Sequence, residues 1–510
     1  MSLTKVTYSM IDGAAANVLD YGADPTGSND STTAIQAAIT NNSAVYVPAG
    51  TYRISSALQI RKNNFSLFGA GSGASILKLV NGGSAVNIIN VGKIDTVGAG
   101  DEPWENINVS GLCLDGNRSS NVPGPYDING WGILTANISK SSFTDLKIIN
   151  CWVAGAGNEI NSNHNTWSDI YIENCGHNDG SYPASQGYPS FDINSSKYCS
   201  YSNIVTKGGY AGFRVLDNCW NNNIQATIYN ATYVGFLMGN QPVNTGVFNN
   251  VVNVSVYNGC SNQGVVVGVK CWANVINAAV YGITGVGVYE IGYGAGSASN
   301  PGNNLYNVTT SQCGQQSCKV DGQGSTWFIN SRQDGQGGNT GDYYAVDISG
   351  SYNQITASVY DDASPKVRGM ALRSGATYNN IIDFQHTTLV TNFENFDISN
   401  TNQYYFQYFQ GVSNVRRTAT LNAGWSNSTG VDITYVKDGN GFVHVYGTVT
   451  GGTGTIFTLP SGYHPPVTQT FPTIANGAIG LLQIDTSGNI TLSSGTATNV
   501  SLGPICFFIG

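Results

Sequence analysis

Acidic residues recur along this chain at intervals that would stack them. Glu159, Asp192, Asp217, Glu290, Asp321 and Asp347 each follow a short apolar run, and the line continues through Arg373 and Asp397. The steps are 33, 25, 73, 31, 26, 26 and 24 residues, and 73 is about three of the others. Carboxylates held side by side are what glycoside cleavage uses: a pair about 5–5.5 Å apart suits retention, and one about 6.5–9.5 Å apart suits inversion. Like charges in contact also raise the pKa of one partner, which can then donate a proton while the other stays ionised. Two clusters qualify, Glu290/Asp321/Asp347 as first choice and Glu159/Asp192/Asp217 as second. Glu is scarce, with six in the chain, and Glu290 stands among Tyr289 and Tyr293, aromatic faces suited to sugar rings. An insertion over 292–303 would wall a groove beside it. A second insertion, between Glu173 and Asp192, carries His177, Tyr182 and Tyr188 as further candidates for substrate contact. For any single acid the competing reading is turn chemistry, because Asp before Gly, Ser or Asn favours turns. The pair Asp361-Asp362 also reads as a turn.

What would stack these acids is a repeat. Ile224 to Asn230, Val252 to Asn258, Ile276 to Gly282 and Ile355 to Asp361 are variants of one line, each with a tyrosine in the same place. Those tyrosines are 28, 24 and 79 residues apart. Within each copy apolar or small residues alternate with polar ones, the period of a half-buried strand. Such a strand recurring every 22 to 33 residues, with Gly/Asn/Asp-rich turns between copies, predicts a solenoid whose units share one long core. The class expected is all-β, a parallel β-helix. Residues one coil apart would then lie about 5 Å apart. Frequent Asn suits its turns and allows side-chain ladders.

The 510 residues carry a net charge of −9 and only 10% charged residues, with no basic run beyond Arg416-Arg417, which argues against a nucleic-acid partner. No apolar run reaches the length of a membrane span, and the first ten residues lack the apolar centre of a secretion signal. The ten cysteines are accordingly expected to be reduced and structural. No Cys/His spacing suits zinc and no Asp-rich repeat suits calcium, so no metal or other cofactor is expected.

At the N-terminal end, residues 1–17 read as a connector. A helix over about 30–42 follows, with Asp30 or Ser31 to cap it and Ala34, Ile35, Ala38 and Ile39 on one face, a natural lid for the open end of a solenoid. Strands are expected in 45–52 and 65–68. From Leu421 the pattern changes to short alternating strands with a hairpin turn at Lys437-Asp-Gly-Asn-Gly441. The expected division is a β-helix over 18–410 and an antiparallel β-sandwich over 411–510, with the apolar end Ile505–Ile509 buried.

The run Val18 to Gly27, the Ala34-Ile35-Gln36 helix and Val45 to Tyr52 together resemble the start of a phage tailspike, and more broadly the pectate-lyase-like right-handed β-helix superfamily. Lys5 to Met10 is similar to the connector that precedes this segment in tailspikes. The resemblance implies a homotrimeric, virion-borne depolymerase, made in the bacterial cytoplasm and acting at the host surface. Its substrate would be a capsular or O-antigen polysaccharide, and its N-terminus would join the phage tail directly or through an adaptor protein. The C-terminal module would serve trimerisation or carbohydrate binding. Glycoside hydrolysis by a carboxylate pair is the expected chemistry, with β-elimination on a uronate polymer and a non-catalytic receptor-binding spike as alternatives.

Overall fold

The protein is described here from a computed structural model over residues 13–82, 86–94, 101–121, 129–177, 187–239, 246–292, 301–332, 334, 344–360, 368–373, 376–386, 391–395, 403–404, 417–428, 430–437 and 442–509. Alternation in sequence becomes alternation in space. Ile224, Ala226 and Ile228 are buried, whereas Gln225, Thr227 and Tyr229 between them face out. Their strand, Asn223–Ala231, pairs in parallel with Val251–Gly259, and that one with Val275–Ile283. Leu305–Ser311, Thr326–Arg332 and Gln354–Tyr360 follow in order. Tyr229, Tyr257 and Tyr281 are direct neighbours on successive rungs. From Tyr281 the column passes through Ser311 and Arg332 to Tyr360, so the 79-residue step is three rungs.

A second parallel sheet rises beside the first. Its strands include Ala156–Glu159, Pro189–Asn194, Ala211–Leu216, Val234–Met238, Gln263–Val267, Val286–Glu290, Cys318–Val320 and Tyr344–Ile348, each paired with the next. A narrow third side consists of bridges such as Lys197 to Trp220 and Trp220 to Phe248. Three-sided coils stacked in register make a right-handed parallel β-helix, in keeping with the strong right-handed preference of parallel crossovers. Inside, identical positions stack: Phe191, Phe213 and Phe236 lie ring on ring at 4.8 and 5.6 Å. Burying each such ring contributes roughly 2–3 kcal/mol. The two sheets pack tightly across the coil: a Cβ at Gly235 would come within 2.6 Å of the Val256 side chain and 2.5 Å of the Gly264 carbonyl oxygen on the next rung.

Asparagine ties the coils together. The side-chain oxygen of Asn250 accepts the backbone N–H of Asn222, that of Asn274 accepts from Asn250, and that of Asn304 accepts from Asn274, each at 3.0 Å. The side-chain nitrogens of Asn222, Asn250 and Asn274 donate to the same three oxygens. These residues are buried, so each of these rungs satisfies an interior N–H that water cannot reach.

The helix Thr32–Asn41 buries Ile35, Ala38 and Ile39. Asp30 Oδ1 accepts the Thr32 N–H at 3.0 Å, and Lys62 Nζ donates to the carbonyls of Ile39, Thr40 and Asn42 at the other end. The lid is fastened at both ends. Nine cysteines are buried and Cys506 is exposed, all of them unpaired.

The chain divides into two compact units, Met1–Tyr408 and Phe409–Gly510. In the second, Thr434–Lys437 and Phe442–Tyr446 form the expected antiparallel pair, extended by Cys506–Phe508. A larger antiparallel sheet completes a sandwich around Trp425, Val443, Val449, Leu482 and Ile490. Ile505 and Phe507 are buried in that core, while Phe508 is half exposed.

Candidate functional site

The two acid clusters fare differently once the register is known. On the second sheet, the outward column runs Gly157, Asp192, Arg214, Leu237, Val266, Tyr289, Lys319 and Asp347. The expectation that these acids all share one edge is corrected at two places. Glu290 pairs with Val267 and Val320 in the adjacent, inward column. Asp217 lies past the strand end, three residues beyond the Arg214 that neighbours Asp192. The outward partner one coil after Asp192 is therefore Arg214, which the spacing of acids alone passed over. A charged residue between two apolar ones in Phe213-Arg214-Val215 was the available signal.

Glu290 is fully buried. Asn304 Nδ2, Tyr306 Oη and Ser325 Oγ all donate to its Oε1 at 2.8–3.1 Å, and Oε2 has no hydrogen-bond partner. Burial raises its pKa to about 7, against the pull of those three donors. It is a core carboxyl at the asparagine ladder, on the opposite face of the strand from Tyr289. Asp321, just past the strand Cys318–Val320, accepts a bond from Tyr289 Oη at 2.8 Å, and Lys319 Nζ lies 3.5 Å from the same oxygen. Asp347 is buried and held by both Nε and Nη2 of Arg373 at 2.7 Å.

Glu159, Asp192 and Arg214 converge on the outward face. Arg214 grips Asp192 with Nε at 3.0 Å and Nη2 at 2.5 Å, and its Nη1 donates to the Gly187 carbonyl at 3.4 Å. Asp192 is buried beneath this bidentate fork, which satisfies both of its oxygens. Glu159 lies two residues beyond the Gly157 that neighbours Asp192, on the same face, near enough for the Asp192 carboxylate to act on it. Burial first, and then the Asp192 charge, push the Glu159 pKa to about 8, with Arg214 opposing. At neutral pH Glu159 keeps its proton.

Of the second insertion, the ends at His177 and from 187 onward are described. Tyr188 donates its backbone N–H to the His177 carbonyl at 2.9 Å and packs with Trp131, Val153 and Ala154. The His177 ring meets the edge of Trp152, over which the Arg118 guanidinium lies at 4.4 Å. Tyr182, Tyr293, Asp361, Asp362 and Asp397 fall outside the described residues. Among the described residues no group of three or more His, Cys, Asp or Glu is arranged to hold a metal ion, and no helix is long and apolar enough to cross a membrane.

The family model "Rhamnogalacturonase A/epimerase, pectate lyase-like" matches residues 15–284, more than half the chain and all of Glu159, Asp192 and Arg214. The chain belongs to that family. Mannuronan C5-epimerase AlgE3 of Azotobacter vinelandii is 39% identical over 127 residues, which is 22% of this chain and 6% of the epimerase. Alginate lyase 7 of the same organism is 36% identical over 145 residues, 26% of this chain and 16% of the lyase. The chain thus spans a small part of the length of these curated relatives. Among solved structures, the Dettilon tailspike protein is similar over 96% of this chain and 93% of its own, with TM-score 0.53 and 12% identity, a likeness of fold.

Proposed function

We propose that this protein cleaves a bacterial surface polysaccharide, capsule or O-antigen, by glycoside hydrolysis on the outward face of the second sheet. The observation that carries the proposal is the Glu159–Asp192–Arg214 constellation: one carboxyl protonated at neutral pH, beside another gripped through both its oxygens by a guanidinium. Glu159 would protonate the departing glycosidic oxygen, and Asp192 would stabilise the positive charge that develops at the sugar ring. The fold supports the rest of the reading. A rigid solenoid side can bind several sugar rings and use that remote binding to distort the scissile one. Like the tailspike it resembles in fold, the chain would work as a homotrimer on a phage tail, attached through its N-terminus to the tail or an adaptor. The 409–510 unit would serve trimerisation or carbohydrate binding.

The test is incubation of the purified protein with a panel of capsules and O-antigens. New reducing ends without ultraviolet-absorbing products are expected, and Glu159→Gln should lower turnover by about 10²–10⁴-fold, the range of general acid catalysis. An undiminished rate in Glu159→Gln overturns the assignment. A second reading is favoured by the named relatives: elimination or C5 epimerisation on a uronate polymer, with the same residues moving the proton. Unsaturated chain ends would mark the first, and inverted C5 centres in uncut chains the second.

A further inference from the structure

The outward column of the second sheet does not end at the acid site. Four rungs from Asp192 it reaches Tyr289, and the fifth is Lys319. At about 4.8 Å per rung, Lys319 is about 24 Å from Asp192 along the solenoid. The floor between them is apolar: Leu237 and Val266 pack with Tyr233 and Ile291. Tyr233 also stacks on Tyr210, with ring centres 4.9 Å apart and planes 11° from parallel.

At the far end stands a cluster that catalysis does not use. Lys319 Nζ lies 4.7 Å above the Tyr289 ring and 3.5 Å from Asp321 Oδ2. Tyr289 Oη occupies that same oxygen, while Asp321 Oδ1 is buried with no hydrogen-bond partner. With Oδ1 covered, the oxygen a ligand can reach is Oδ2, since the Asp321 side chain is 17% exposed, and a carboxylate oxygen that accepts one bond can accept another. Lys319, a third exposed, has donors to spare beside it. An acceptor and a donor side by side, at the edge of an aromatic ring, match the vicinal hydroxyls and apolar face of a pyranose ring. Neither Asp321 nor Lys319 carries surplus charge as a pair, so the complement is the diol and not an ionic group.

We infer that Lys319, Asp321 and Tyr289 form a distal sugar-binding subsite, which holds a polysaccharide by vicinal hydroxyls about five rungs from the Glu159–Asp192 pair. The inference rests on the reading that the polymer lies along this face. It makes binding depend on chain length, because a short oligomer at the acid site cannot reach Lys319.

The probe is polymannuronate, a 1,4-linked hexuronan with free 2,3-hydroxyls and the polymer named for the epimerase relatives, as a trimer and an octamer. Binding is measured by calorimetry on Glu159→Gln protein. The octamer should bind at least about tenfold more tightly than the trimer, and adding Asp321→Ala or Lys319→Ala should remove that advantage while leaving trimer affinity unchanged. Equal loss for both lengths would mean a merely structural role and overturns the inference, as does an octamer advantage that survives both substitutions. Absence of octamer binding to the Glu159→Gln protein overturns it as well. The catalytic reading fails separately, through an active Glu159→Gln enzyme.

Discussion

At the scale of single residues, two carboxyls with raised pKa values have different consequences. Glu159 must hold its proton to act as an acid, so the rate should be full below about pH 8 and fall as pH rises through that value. A rate profile with no descending limb near there would remove Glu159 from the role. Glu290, buried in the core, bears on stability alone. Its ordinary value is 4.5 and its folded value about 7, so the folded state holds a proton that the unfolded chain has released over that window. Stability is therefore greatest below about pH 4.5 and declines by on the order of 3 kcal/mol as pH rises through about 7. Glu290→Gln should remove this share of the decline in denaturant unfolding measured from pH 4.5 to 8, and leave the share that Glu159 contributes by the same linkage. The two residues also show how far the sequence could be read. The repeat put acids on neighbouring rungs, which was enough to bring Glu159 and Asp192 together. It did not settle parity within Val286-Gly-Val-Tyr-Glu290, where a shift of one residue exchanges Tyr289 for Glu290 on the outward face. The acid that looked exposed is inside, and the tyrosine beside it is the surface group.

At the scale of elements, the tyrosine column was legible because equal residues in equal places announce a register, even across a 79-residue gap. The asparagine ladder was legible only as composition, since an Asn before a strand reads equally well as a turn. The structure separates these meanings, and a pair of substitutions can test the separation. Asn274→Ala would orphan the buried N–H of Asn250 and the Val247 carbonyl, now served by its side chain. The expected cost is about 2–4 kcal/mol. Asn277, on the outward face, joins a second ladder between Asn253 and Asn307 at 2.8 and 2.7 Å, where water can replace either bond. Asn277→Ala should change stability by no more than about 0.5 kcal/mol. Because large solenoids often unfold irreversibly, the comparison belongs on unfolding rates in guanidinium. Equal effects would mean that burial is not what gives the inner ladder its worth.

At the scale of the whole molecule, the question is what holds chains together if three of them make one spike. The 409–510 unit has its own core and exposes more apolar surface than that core requires. Ile474 and Ile479 are cross-strand partners in the hairpin Gln469–Ala475 and Ala478–Ile484, 52% and 80% exposed. Leu481, on the same strand as Ile479, is 39% exposed, and Val467, just ahead of the hairpin, is 62% exposed. Apolar side chains grouped on one hairpin mark an association surface more often than scattered ones do. A charge placed there would have to be desolvated on assembly, while the free unit would keep it in water at little cost. Ile479→Asp should therefore leave each chain folded, with unchanged far-ultraviolet circular dichroism, but shift sedimentation velocity from a three-chain species to a single chain. Dissociation should also lower the unfolding midpoint and make it depend on protein concentration, because subunit binding contributes to apparent stability by mass action. An assembly untouched by Ile479→Asp and by Ile474→Asp would place the contacts between chains on the solenoid, whose outward polar ladders would then be the next surface to test.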